Sequence, residues 1–217
     1  MLKILKEHKN PEILVMTPLG PDRKISTETR TSIKRNDIPF TWASFEGDGK
    51  HAANVQSGLE AYLAKYRTLP KFFQIIDDDI ILGRHMLDRL HSKIINTPQM
   101  IAFVFCPFSY RGHINVNFPA QVYDINKLLT NNYISSNSLY KSEVLMSVGG
   151  FVTEYKYHRL SDWAMWLGLF RQGYAGVLCD TTSFVAISKP TDISAGSIEE
   201  YETTRNLIIN DFARPLV

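Results

Sequence analysis

The 217-residue sequence predicts an α/β fold with a mostly parallel central sheet, and three observations predict it. Short apolar runs without helical spacing, at Ile13-Leu14-Val15-Met16, Thr41 to Phe45 and Phe72 to Ile76, read as buried strands. Between them lie stretches of helical period, and strand-helix-strand-helix-strand order implies parallel pairing through right-handed crossovers. Each strand also ends in a polar turn, at the sheet edge where such folds bind ligands.

The elements follow in order. Residues 1–10 form a basic, polar lead-in, and the first strand stops at Thr17-Pro18-Leu19-Gly20-Pro21 because prolines and glycine cannot continue it. Ser26 is a fitting N-cap for a polar helix to about Asn36. The strand over 41–45 runs into the flexible turn Glu46-Gly47-Asp48-Gly49-Lys50. From Ala52, the residues Val55, Leu59, Tyr62, Leu63 and Tyr66 share one helical face, which predicts a helix packed on the sheet. Pro70 ends it, and the third strand delivers Asp77-Asp78-Asp79.

The second half alternates less regularly. Met86, Leu87, Leu90 and Ile94 predict an amphipathic helix, and Ile101 to Cys106 a strand. Residues 107–133 have no clear period and read as a long irregular binding loop. A strand within Tyr133 to Tyr140 and a short helix over Ser142 to Val148 come next, stopped by Gly149-Gly150-Phe151. Ser161 to Phe170 is apolar nearly all round, which marks a buried helix with Ser161 as its cap. Two strands follow, at Ala175 to Cys179 and Ser183 to Ile187, and the tail from Ser197 to Asn210 reads as a docking or oligomer helix.

Composition excludes more than it selects. A net charge of +2 gives no electrostatic argument for a nucleic-acid partner. No apolar run is long enough to span a bilayer and Met1 to Lys6 has no secretory apolar core, so the expected location is cytoplasmic. Cys106 and Cys179 lack metal spacing and read as buried thiols. His8, His85, His91, His113 and His158 show no ligand spacing. A Walker loop, a nucleophile elbow and a dinucleotide glycine motif are all absent, so those enzyme classes lose their usual support.

The acids are the sharpest chemical signal. Three adjacent carboxylates at a buried strand end repel one another unless a cation joins them, and hard divalent ions such as Mg²⁺ or Mn²⁺ take oxygen ligands of this kind. Alternate side chains of a strand share a face, so Asp77 and Asp79 can point together while Asp78 points away, the geometry of a D-x-D metal and nucleotide site.

These motifs together resemble a family 2 glycosyltransferase of the GT-A fold, over residues 11–190. The resemblance rests on Thr17-Pro18, Gly49 with Ala52-Ala53-Asn54, the apolar strand into Asp77-Asp78-Asp79, Gly149-Gly150-Phe151, and Asp162-Trp163 with Gly173-Tyr174. It implies a three-layer nucleotide-diphospho-sugar transferase fold in one domain: a donor half over 11–106, an acceptor and catalytic half over 107–190, and a tail helix over 191–217. It also implies a nucleotide-sugar donor, usually a UDP-sugar, and a divalent metal held by Asp77 and Asp79. The reaction is then inverting, with Asp162 as base. Thr17, Pro18, Asp77, Asp78 and Gly150 match donor-binding positions, and Glu46 and Asp48 are rival matches for the acid after the second strand.

This sequence departs from the family pattern where Gly47-Asp48-Gly49-Lys50-His51 runs straight into Ala52, omitting a strand and helix. Ala53 replaces a basic residue, and Lys50 and His51 are the candidates to supply that charge. Ser161 stands where the family has a second acid. The alternatives are an inactive nucleotide-binding module of the same fold and a sugar-phosphate nucleotidyltransferase, the latter needing a glycine-rich basic loop after the first strand. The acceptor is left open among a saccharide, a lipid-linked sugar, a protein and a modified DNA base.

Overall fold

The structure, a computed structural model, describes residues 1–47, 50–192 and 196–213. Its main sheet has seven strands: β1 (Leu2–Lys6), β3 (Phe40–Glu46), β2 (Ile13–Leu19), β4 (Phe72–Ile75), β9 (Leu139–Lys141), β6 (Ile101–Phe105) and β10 (Ala175–Leu178), in that spatial order. Five share one direction, while β1 and β9 run against them. The sheet is therefore mostly parallel, with an antiparallel strand at one edge and another in its middle.

Strand β2 explains the layering. Ile13, Leu14, Val15 and Met16 are all fully buried, so both faces of the sheet are covered. Leu14 and Met16 pack with α2 (His51–Tyr66) and α6 (Ser161–Arg171), whereas Ile13 and Val15 pack with α1 (Thr27–Ile33) and α3 (Met86–Ile94). Each such buried aliphatic side chain contributes about 1.5–3 kcal/mol relative to exposure. Helix α2 approaches closely because Gly58 leaves room: a Cβ there would stand 2.9 Å from Phe45 Cβ.

Several expectations change in the folded chain. The lead-in forms β1, paired antiparallel to β3 from Leu2 opposite Phe45, which supplies the sheet edge with backbone partners that its polar sequence conceals. The segment 107–133 is largely structured, with β7 (Phe108–Gly112), β8 (Val116–Phe118) and the single turn α4 (Ile125–Leu128). Strands β7 and β8 join β5 (Ile80–Leu82) and β11 (Phe184–Ser188) in a second sheet of order β5-β11-β7-β8. Their exposed positions Arg111, Val116 and Asn117 hide any alternation.

Helix ends follow local chemistry. Ser26 caps α1 by accepting from Thr29 N, as expected. Ser161 does not cap α6: a 3₁₀ helix (Tyr155–Leu160) runs directly into it, making Ser161 its first helical residue. Asp162 Oδ1 instead accepts from Trp163 N at 2.8 Å. The helix is buried as expected, with Trp163 and Trp166 fully enclosed. After α5 (Ser142–Ser147), Gly149 and Gly150 adopt positive φ and satisfy the last carbonyls of the helix. Helix α7 (Ile198–Ile208) docks on its own chain through fully buried Ile208. Cys106 and Cys179 are buried free thiols. Among the described residues, no helix is long and apolar enough to cross a membrane.

Candidate active site

Beyond the C-terminal ends of β2 and β4 lies a cleft of about 590 Å³, bounded by the β2 loop, the start of α2, the acid trio, the aromatic face of the second sheet and the start of α6. That volume suits a small-molecule ligand.

Strand β4 stops at Ile75, so Asp77 to Asp79 occupy a turn and do not alternate as strand residues. The turn is pinned from two sides. Ser26 N and Thr29 Oγ1 donate to the Asp78 carbonyl at 2.9 and 3.1 Å, and Ile187 N donates to the Asp79 carbonyl at 3.0 Å. All three side chains line the cleft, with separate partners.

Asp77 belongs to His51 and Asn137. His51 Nε2 lies 2.7 Å from its Oδ1, and Asn137 donates through Nδ2 to Oδ2 at 3.0 Å while accepting from Asp77 N at 3.1 Å. Burial works to raise the carboxyl, but the His51 charge and the hydrogen bonds outweigh it and hold Asp77 below the usual carboxylate range. For His51, burial favours the neutral ring, yet Asp77 and the other acids raise its pKa.

Asp78 and Asp79 share Arg23. Its Nε and Nη2 reach Asp78 Oδ2 and Oδ1 at 2.8 and 2.7 Å, a bidentate pair, and Nη2 lies 3.2 Å from Asp79 Oδ2. Nη1 holds Asp192 at 3.0 Å. Four carboxylates thus share the two basic partners Arg23 and His51. Asp79 carries the imbalance: burial and the charges of Asp77, Asp78 and Asp192 push it up to about 7, with Arg23 only partly opposing. A group so crowded by negative charge fits a divalent cation, which needs only one or two protein carboxylates when a ligand supplies the rest.

Asp162 reaches the same cleft from α6. Asn132 Nδ2 donates to its Oδ1 at 3.1 Å, the oxygen that also accepts from Trp163 N. One carboxylate oxygen is therefore committed to holding the side chain. Burial raises the carboxyl to about 6, although these hydrogen bonds and His51 pull it down.

Pro18 and Lys50 also line the cleft. Thr17 does not: it is fully buried and its hydroxyl accepts from Trp42 Nε1 at 3.0 Å. Glu46 lies exposed at the end of β3, outside the lining, and its N–H donates to the Met1 carbonyl. Gly150 is also outside it and packs against Gln56. Asp48 falls outside the described residues. Asn54 lines the cleft and ties the β2 loop down by donating to the Leu19 carbonyl.

Arg23, Asn132, Asn137 and Asp192 carry no motif, and nothing in their local sequence marks them. Folding also gathers Asp37, His85 and Asp88, whose ligand atoms lie within 4.8 Å of one another, although His85 has no ligand spacing in the chain. None of the three lines the cleft. Asp88 is already used there, accepting from the N–H groups of Asp37 and Ile38.

No protein-family model and no curated protein sequence matches this chain. Solved structures do match it in fold. TarS of S. aureus, residues 1–349 in complex with UDP-GlcNAc, superposes with a TM-score of 0.64 at 12% identity, over 94% of this chain and 68% of that one. The mannosyltransferase PcManGT of Pyrobaculum calidifontis, in complex with GDP-Man and Mn²⁺, gives 0.54 at 16% identity, over 84% and 59%. The catalytic domain of Drosophila β1,4-galactosyltransferase 7, in complex with xylobiose, gives 0.57 at 10%, over 90% and 79%. Against the longer TarS chain the match covers 39% of that chain. These matches in fold give this chain the GT-A glycosyltransferase fold.

Proposed function

We propose that this chain is a glycosyltransferase, of the family 2 type, which moves a sugar from a nucleotide-sugar donor to an acceptor hydroxyl with inversion. The observation that carries the reading is the meeting, in one cleft, of the charge-crowded Asp77 to Asp79 turn with the oriented carboxylate of Asp162. Residues 11–106 would hold the donor and 107–190 the acceptor and base, with the tail helix of 191–217 in the same domain. A UDP-sugar is the first choice of donor. The fold neighbours bound to UDP-GlcNAc, and to GDP-Man with Mn²⁺, support the class of ligand.

Asp79, with Asp77 beside it, would hold Mn²⁺ or Mg²⁺. Bound there, the cation supplies charge neutralisation for the diphosphate that leaves the anomeric carbon. The chain adds its own donors on that side. His51 is the first residue of a long helix, so its ring and the helix N-terminus would lie on the leaving-group side of the cleft. Asp162 takes the proton of the attacking hydroxyl. Its pKa of about 6 leaves it ionised at neutral pH and makes it a stronger base than an ordinary carboxylate.

The experiment is thermal stability against a panel of nucleoside diphosphates and nucleotide sugars, each with Mn²⁺ and with chelator. A ligand at about 100 times its Kd adds about 2.7 kcal/mol, a readable shift. The expected result is a metal-dependent shift with uridine nucleotides, followed by transfer activity. A shift without turnover on any acceptor identifies the inactive binding module, and no shift with any nucleotide ends the reading.

A further inference from the structure

The cleft wall formed by the second sheet is built of rings. Phe184, Phe108 and Phe118 stand on neighbouring strands β11, β7 and β8 and stack in a row, with centroids 5.2 and 4.3 Å apart and planes within 8°. Tyr110 meets Phe108 and Phe118 edge-on. Phe184 and Phe108 are buried, whereas Phe118 and Tyr110 are half-buried and open on the cleft. Strand β8 is the sheet edge, so among the described residues no further strand continues the row beyond Phe118. Asn132, Ser135 and Ser136, neutral hydrogen-bonding residues, line the same cleft, and Asn132 is bonded to Asp162. Burial, and then the charges of Asp162, Asp77, Asp79 and Asp192, raise the Tyr110 hydroxyl, whose ring lines the same cleft as these acids.

We infer that this part of the cleft is the acceptor subsite and that the acceptor is a pyranose saccharide, its C–H face laid on Phe118, its edge against Tyr110 and its hydroxyls turned to Ser136 and Asp162. The inference rests on the transferase reading above for the word acceptor, and on the ring row and the polar lining for the class. A pyranose ring has one apolar face and a rim of hydroxyls, which is what a cleft lined by both aromatic rings and hydrogen-bonding groups complements.

The test is saturation-transfer NMR on the whole chain with millimolar methyl β-glucoside, methyl β-galactoside, methyl N-acetyl-β-glucosaminide, methyl α-mannoside and xylobiose. At least one should receive saturation, strongest at the ring C–H protons. In Phe118→Leu, which keeps an apolar side chain but removes the ring, binding should weaken about fivefold. The nucleotide-induced thermal shift should stay intact. Tyr110→Leu serves as a second ring deletion should the first fail to fold. No saturation of any glycoside, or saturation unaltered in both variants, overturns the inference, and a nucleotide shift in the same samples shows that the transferase reading survives it. Ring-dependent glycoside binding without any nucleotide shift leaves a saccharide site and sinks the donor reading. Binding of an oligothymidylate in place of the glycosides, lost in Phe118→Leu, overturns it in favour of a nucleic-acid acceptor.

Discussion

His51 Nε2 lies 2.7 Å from Asp77 Oδ1, tying the first turn of α2 to the acid turn after β4. The pair joins residues that no local motif links. Its energetics are readable through pH. Asp77 is depressed in the fold, so its contribution is present above its unfolded value of 3.8 and lost as pH falls through the lower folded value. His51 is raised, so its contribution is full below its unfolded value of 6.5 and lost as pH rises through the higher folded one. His51→Gln should therefore cost about 1 kcal/mol between these two values and progressively less on the alkaline side. Chemical denaturation at a series of pH values measures this, and an equal cost at all pH would remove the charge from the account.

Asp79 has the opposite sign. Its folded pKa of about 7 exceeds the unfolded 3.8, so the stability its protonated form contributes is present below the unfolded value and lost as pH rises through about 7. Without metal, Asp79→Asn should stabilise the fold by about 1–3 kcal/mol at pH values of about 8. The same substitution should abolish the Mn²⁺-dependent nucleotide shift. A variant that still binds nucleotide only with metal would take Asp79 out of the metal site.

For Asp162, transfer and binding should separate. Asp162→Asn should lower kcat by about 10²–10⁴-fold and leave the nucleotide shift unchanged. In the wild type, kcat should rise with pH through about 6 as the carboxyl ionises. Asn132 stabilises the ionised form, so Asn132→Ala should move that limb to higher pH and cost more rate at acid than at alkaline pH. A limb that stays in place in Asn132→Ala would show that Asn132 only packs.

Arg23 holds a nearly buried carboxylate in place, Asp78 being 5% exposed. Arg23→Ala leaves that charge without its bidentate partner and should destabilise by about 2–4 kcal/mol. Adding Asp78→Asn should recover much of the loss, because the unpaired charge is gone. Equilibrium unfolding of the two variants decides it, and failure of the double variant to recover would place the cost in lost packing by the Arg23 stem.

What could be read without a fold was what the chain encodes within short windows. The fully apolar β2 and β4, the helical face over Val55 and Leu59, the enclosed α6 and the acids at a strand end all announce themselves by period, composition and punctuation. Strands β1, β7 and β8 did not, because edge and hairpin strands that are half-exposed lack a clean alternation. Strand β9 is too short to carry a period of its own, and its antiparallel place between β4 and β6 comes from pairing.

The same division runs through the cleft. Asp77, Asp78, Asp79 and Asp162 stood out as residue types at element ends, and sequence by itself determined that they flank a sheet edge. Which charge each meets was decided by tertiary structure alone: His51 is 26 residues from Asp77, Arg23 is 55 from Asp78, and Asn137 is 60 from Asp77. The physical reason is that periodicity reports how a residue is buried within its own element. A hydrogen-bond partner is set by which elements pack together and by where the strand ends, and the early end of β4 at Ile75 sends Asp78 and Asp79 to one arginine.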